Sequence, residues 1–203
     1  MKEMIKNTLI LLIITVVAGS LLGFVNENTK DLIAAREEED KKAAYKEVFE
    51  DATDFKSSGD FKQDMAVMKL SEGGFVSDSI DELTEAYSSS GEKLGYVFTI
   101  TTHEGYGGDI VFAMGVRNDG TVNGISLLTI NETAGLGMEA EKVLKPQFKN
   151  KKAETFVYTK TGAEQENEID AISGATITTN AITTGVNAGL YYFDKMLGGA
   201  DHE

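Results

Sequence analysis

Between Lys6 and Glu27 the chain carries no charged side chain, and nothing else in the sequence limits the fold as strongly. The stretch reads NTLILLIITVVAGSLLGFVN. About twenty helical residues at roughly 1.5 Å rise each span about 30 Å, the thickness of a bilayer core. The segment is therefore expected to be a single transmembrane helix. A cleaved signal peptide, processed at Ala18-Gly19-Ser20, is the competing reading. The apolar run continues through Leu21, Leu22, Phe24 and Val25, which a cleaved peptide does not need. Lys2 and Lys6 precede the segment; Asn26, Glu27, Asn28 and Asp31 follow it, with one lysine, Lys30. The positive-inside rule then puts the N-terminus in the cytoplasm and the remaining chain on the extracytoplasmic face of a cell (inner) membrane.

Several function classes are excluded early. The formal net charge is -14, which repels nucleic acid and anionic headgroups. There is no cysteine, so disulfides, thiol nucleophiles and thiolate-held zinc or iron–sulfur clusters are ruled out. The two histidines are His103 and His202. A Ser-His-Asp triad would rest on His103, without a G-x-S-x-G elbow. Neither a P-loop nor a G-x-G-x-x-G turn after a strand is present, and no metal site is expected. Redox chemistry in such a chain requires an organic cofactor.

The soluble part is expected to be α+β: a single anchor helix followed by a mixed domain with an antiparallel sheet and flanking helices. Residues 1–27 form the cytoplasmic N-terminus and anchor. Residues 28–93 hold a juxtamembrane helix, rich in Ala, Glu, Lys and Arg up to Glu50, and a less patterned stretch of Ser-, Gly- and Asp-rich turns. From Gly95 the composition turns β-branched and aromatic. Strands are predicted at Gly95–Thr102, Asp109–Val116 and Thr121–Ile130, with Asn118-Asp119-Gly120 as a hairpin turn. Residues 138–149 read as a short helix interrupted by Pro146, and 155–160 as another strand. A last helix is predicted from about Ile177 to Leu197, stopped by Gly198-Gly199. Its apolar face is Ile182, Val186, Leu190, Phe193 and Leu197. The main domain covers 94–199, and 200–203 is a tail.

Chemistry concentrates just before that last helix, in Asp170-Ala171-Ile172-Ser173-Gly174-Ala175-Thr176. A helix N-terminus offers unpaired N–H groups and a positive dipole end, both suited to a phosphate. Gly174 and Ala175 leave room for a bulky group. Ordinary Ser/Thr capping of the helix explains the same composition without any ligand.

The full pattern resembles the D-x-x-[ST]-G-A-[ST] flavinylation motif, in which a flavin transferase takes FMN from FAD and joins its phosphate to the last Ser or Thr. All fixed positions match: Asp170, Ser173, Gly174, Ala175 and the acceptor Thr176. Gly105-Tyr106-Gly107-Gly108-Asp109-Ile110 is similar to the glycine-rich turn of such FMN-binding domains. Asn131-Glu132-Thr133-Ala134-Gly135-Leu136-Gly137 resembles the E-T-P-G-L-G segment, with Ala134 in place of proline. In this order, behind an anchor helix, they resemble the G subunit of the Rnf electron-transport complex, related to the C subunit of the sodium-translocating NADH:quinone reductase.

That resemblance implies covalent FMN on Thr176 and a role as redox subunit of a translocase that couples ferredoxin and NAD electron transfer to ion movement. It implies other membrane subunits and a flavin transferase as partners, and no catalytic centre apart from the flavin. Asp170 is expected to help the transferase recognise or activate the site. Leu136 is expected to pack on the isoalloxazine, with Thr133 or backbone amides of 133–137, including Gly135 and Gly137, at its polar edge. Glu132 would hold the loop or form a structural ion pair, and Tyr106 and Gly107 would border the ring. Thr178 and Thr179 stand as neighbouring candidate acceptors. Two rival readings are an anchored binding or sensor domain without cofactor, and the FMN domain of a stand-alone extracellular reductase.

Overall fold

The structure, a computed structural model, describes residues 1–198; the expected helix stop at Gly199, His202 and the tail lie outside them. The chain divides into two units, Met1–Asp40 and Lys41 onward. Helix α1 (Lys2–Val48) makes up the first and gives its last residues to the second; its apolar run lies in the first, with exposed side chains. By length and composition this helix can cross a membrane. No capping or breaking residue separates the anchor from the juxtamembrane stretch, and helical residues run through both.

The second unit is built on one antiparallel sheet in which every strand pairs with its neighbour in sequence: β1 (Asp54–Ser57), β2 (Asp78–Tyr87), β3 (Lys93–Thr102), β4 (Ile110–Arg117) and β5 (Val122–Thr129). The meander β3-β4-β5 is the one expected, with every boundary close to its predicted place. Strand β3 is buried along most of its length because helices cover both sheet faces.

On one face, Phe98, Ile100, Phe112, Met114 and Val122 pack under helix α4 (Thr176–Met196). The predicted stripe is the one that faces the sheet: Ile182, Val186, Leu190 and Phe193 are buried. Gly185 and Gly189 let the helix come close, since a Cβ on Gly185 would stand 3.0 Å from the Phe112 ring. On the other face, Ala44, Tyr45, Val48 and Phe49 cover Ala86, Val97 and Ala113. The Tyr45 hydroxyl reaches Thr99 Oγ1 at 2.9 Å, and burial raises its pKa.

The reading of residues 51–93 as turns and connections is corrected. They hold β1, β2 and helix α2 (Gln63–Glu72). In β2 the buried apolar residues are Ile80, Leu83 and Ala86, a spacing of three. Strands alternate in twos. A register shift after Ile80 puts Ile80 and Leu83 in the same core, while Ala86 faces the opposite one, so no single face reads through and the strand is hard to recognise. Helix α2 buries only Ala66 and Leu70, while Met65, Val67 and Met68 face outward, so its pattern marks no face.

Residues 137–148 form a broken helix: a 3-10 turn (Gly137–Glu139), helix α3 (Ala140–Val143) and a second 3-10 turn over Lys145–Phe148 that holds Pro146 in its first turn. The expected strand at 155–160 is β6 (Val157–Thr159). It pairs in parallel with β7 (Glu168–Asp170), which was not expected.

Candidate functional site

The flavinylation-like segment turns from β7 into α4. Gly174 has φ +76, a conformation L side chains rarely adopt, so glycine is required at this turn. Thr179 fixes the turn from inside. Its hydroxyl donates to Ala175 O at 2.9 Å and accepts from Ile172 N at 3.1 Å. Gln147, which no sequence signal singled out, clamps the backbone of Asp170: Oε1 accepts from Asp170 N at 2.7 Å and Nε2 donates to Asp170 O at 3.1 Å. The Asp170 carboxylate accepts from Ala163 N at 2.6 Å and so closes the β6–β7 connection.

Helix α4 starts at Thr176 with Ala175 at the N-cap, and no side chain caps it. The ordinary capping reading is thus corrected: neither Ser173 nor another hydroxyl occupies the cap, and the first-turn N–H groups have no side-chain acceptor. The three threonines of this turn differ. Thr178 and Thr179 are buried, while Thr176 is partly exposed. Among the described residues the Ser173 and Thr176 hydroxyls have no hydrogen-bond partner, whereas that of Thr179 is committed to the turn.

The other two motif segments meet this helix. Glu132 Oε1 accepts from Tyr106 N at 2.8 Å and Gly107 N at 3.3 Å, binding the glycine turn to the 131–137 loop. A Cβ on Gly105 would collide with Gly108 O, and one on Gly107 with Asn131 O. A Cβ on Gly137 would lie 2.6 Å from both Glu132 Cβ and Thr178 Oγ1. Gly137 is therefore the point where the loop rests on α4. Leu136 Cδ2 lies 3.0 Å from where a Cβ on Gly174 would be, so this side chain leans over the turn before Thr176. Gly135, at φ +76, reverses the loop, and Thr133 O accepts from Leu136 N at 3.1 Å and Met138 N at 3.3 Å. Asn180 Nδ2 donates to Glu104 Oε2 at 3.5 Å, tying α4 to the residues before the glycine turn.

The result is an open apolar shelf around an uncapped helix end: Leu136 is 39 %, Met138 41 %, Ile177 52 % and Tyr106 70 % exposed. His103 Nδ1 lies 2.8 Å from Asp109 Oδ1, with no serine in the pair, so no triad forms there. No group of His, Asp and Glu suited to a metal ion occurs among the described residues.

The FMN-binding domain family matches residues 105–191, a span that includes all three motif segments. The RnfG N-terminal region family matches residues 1–48. The chain is 35 % identical over 199 residues to the G subunit of the Na(+)-translocating ferredoxin:NAD(+) oxidoreductase complex of Acetobacterium woodii, covering 96 % of this chain and 94 % of that protein. The chain belongs to the RnfG family. Another relative is the G subunit of the proton-translocating ferredoxin:NAD(+) oxidoreductase complex of Clostridium ljungdahlii, 40 % identical over 97 residues, 47 % of this chain and 52 % of that one. Among solved structures, NqrC of Shewanella oneidensis aligns with TM-score 0.49 and 17 % identity over 74 % of this chain and 84 % of its own.

Proposed function

We propose that this chain is a membrane-anchored electron carrier that holds FMN covalently on Thr176, within a complex that couples ferredoxin:NAD electron transfer to ion movement. The observation that carries the reading is the start of α4. Of the three threonines in its first turn, Thr176 alone offers an accessible, uncommitted hydroxyl, and it does so beside uncapped N–H groups. A threonine hydroxyl is a weak nucleophile and needs an external base. The transferase supplies it. Thr176 Oγ attacks the flavin-side phosphorus of FAD, the pyrophosphate bond breaks, AMP leaves, and the hydroxyl proton passes to the transferase base. The phosphodiester so formed retains one negative charge, which the helix dipole and first-turn amides stabilise.

Bound there, FMN supplies one- and two-electron chemistry. The chain's own residues orient it. Leu136, Met138 and Ile177 would give the ring an apolar rest, and Thr133 and the 133–137 backbone would supply hydrogen-bonding groups to it. Gly105 and Gly107 let the turn stay tight against the loop, with Tyr106 at its rim. The openness of the shelf supports a tether, because covalent attachment keeps the cofactor at high local concentration where burial cannot. Asp170, whose carboxylate closes the β6–β7 connection, acts by holding the acceptor turn in the shape the transferase meets. The anchor helix has no charge between Lys6 and Glu27 and so does not form an ion path by itself. The named relatives move sodium in one case and protons in another.

The test is co-expression with a flavin transferase, followed by intact mass and in-gel flavin fluorescence after denaturing separation. Wild type gains one FMN-phosphoryl adduct and glows; Thr176→Ala does neither. A dark wild-type band beside a labelled control would sink the covalent reading and favour a cofactor-free binding domain. Orientation is tested separately. The chain has no cysteine, so Ser89→Cys in the exposed β2–β3 turn gives a single thiol. We expect a membrane-impermeant maleimide to label it in intact cells; labelling only after lysis would reverse the topology.

A further inference from the structure

Strand β2 opens on Asp78, paired in register with Thr102 at the end of β3. Asp78 is 6 % exposed and Thr102 fully buried. Neither carboxylate oxygen of Asp78, nor the Thr102 hydroxyl oxygen, has a hydrogen-bond partner. The Thr102 hydroxyl lies close enough to act on the carboxylate but is not in bonding geometry. A second aspartate on this strand shows the contrast. Asp81 accepts the Thr101 hydroxyl at 2.5 Å and the Ser79 hydroxyl at 2.8 Å. A buried carboxylate without donors is costly as an anion and becomes a donor itself once protonated. Burial accordingly pushes the Asp78 pKa up to about 6; Glu104 adds to the rise, and Thr102 and His103 oppose it. Glu104 and His103 are the titratable side chains that act on it, and both are exposed.

The position matters because this sheet end backs the proposed flavin shelf. Thr102 pairs with Ile110 across the strand ends that the glycine turn joins. His103 N donates to Ser77 O at 2.9 Å, one residue before Asp78. Glu104 touches Asn180, one helical turn after Thr176. As a general scale, two unit charges about 10 Å apart in a medium of effective dielectric about 20 change each other's proton affinity on the order of tenfold.

We propose that the Asp78 carboxyl, with Thr102 beside it, is a proton-binding site linked to the charge of the flavin shelf. The inference rests on the FMN reading. When a reduced redox partner delivers electrons to the shelf, Asp78 takes one proton from water past the exposed Glu104 and His103. An O–H bond forms at Asp78 Oδ, a hydronium or buffer acid loses its proton, and Asp78 itself is neither oxidised nor reduced. The pair thus offsets negative charge arriving at the shelf. A tenfold tightening of that proton on reduction displaces a two-electron potential by about 30 mV.

The experiment uses the full chain in detergent with carboxyl-13C aspartate, and Asp78→Asn to identify the resonance. Three states are titrated: flavin-free, flavinylated and oxidised, flavinylated and dithionite-reduced. Asp78 is expected to titrate near pH 6 when flavin-free and to bind its proton several-fold more tightly after reduction. Thr102→Val should raise the midpoint further, which a merely structural hydroxyl would not do. A midpoint in the ordinary carboxylate range, or equal midpoints in the oxidised and reduced states, overturns the proposal. If Asp78 titrates near 6 in a protein that accepts no FMN, the flavin reading fails and the linkage with it. An ordinary midpoint with FMN bound overturns the proton site alone.

Discussion

The two ends of helix α4 look unlike each other, and the end without the motifs borders a groove. Along its second half, Leu190, Tyr191, Phe193 and Asp194 line a groove of about 760 Å³ together with Phe75, Gly120 and the 152–155 loop. At its first turn the motif residues lie on an open shelf. Volume alone would put a ligand in the groove. Chemistry points the other way. The shelf has an uncapped helix terminus, a free hydroxyl, two glycines (Gly105 and Gly107) that let backbone approach backbone and a third, Gly137, that seats the loop on α4. The groove side of the helix instead carries a contact that simply holds the fold: Asn187 Oδ1 accepts from Phe156 N at 2.7 Å and Asn187 Nδ2 donates to Phe156 O at 2.9 Å. A covalent cofactor does not need an enclosing pocket, because the tether replaces much of what burial provides.

The largest effect expected from this contrast is all-or-none. Thr176→Ala should abolish the FMN adduct, while Thr178→Ser and Thr179→Ser, which keep hydroxyls in the interior, should leave the adduct mass unchanged. An adduct that survives Thr176→Ala and disappears with another threonine would move the acceptor. Next comes Gly137→Ala. The new methyl group meets Glu132 Cβ and Thr178 Oγ1 at 2.6 Å, and neither is the free end of a long side chain. The loop must lift from α4. We expect flavinylation slowed by about tenfold or more, by analogy with the large cost of small misplacements at reacting groups. A wild-type rate measured on Gly137→Ala would show that the loop and the helix act independently.

How far the sequence foretold this contrast differs between fold and site. The meander was legible because β3, β4 and β5 are dense in β-branched and aromatic residues and are separated by Asn118-Asp119-Gly120. The apolar face of α4 was legible because its period is regular. Strand β2 was not, since after its register shift no single face reads through, and α2 was not, since its methionines point outward. The three motif segments could be ordered along the chain, but their assembly could not. Gln147 holds Asp170 through a backbone contact that leaves no residue pattern. Thr179 reads as one more hydroxyl among several until its burial shows that it builds the turn. Asp78, too, is one acidic residue among many until the sheet register buries it opposite Thr102.

Asp78 also gives the comparison a pH dimension. Its folded pKa of about 6 lies above the ordinary value of 3.8. A carboxyl whose pKa is raised by folding destabilises the native state where it must ionise. The penalty is absent below about pH 3.8, grows between there and about pH 6, and is full above that. Replacing it with neutral Asn should therefore stabilise the protein at about pH 8 by up to about 3 kcal/mol, with the gain shrinking towards zero near about pH 4. Urea denaturation of the full chain in detergent at several pH values measures this. A gain that does not vary with pH would mean that Asp78→Asn acts through packing and not through charge.

The smallest expected effects lie in the groove, and they test most directly whether it is only structural. Lys152 and Glu154 are exposed on its rim. Surface substitutions of this kind usually change stability by no more than about 0.5 kcal/mol. Lys152→Ala and Glu154→Ala should therefore leave both the denaturation midpoint and the FMN yield where they are. They are informative because, on the covalent-FMN reading, a transferase would have to dock on this domain. If either variant lowers the adduct yield without altering stability, the groove belongs to the maturation surface, and the division between a chemical end and a structural end of α4 no longer holds. If neither does, these two rim residues take no part in maturation, and the division between the two ends of α4 stands.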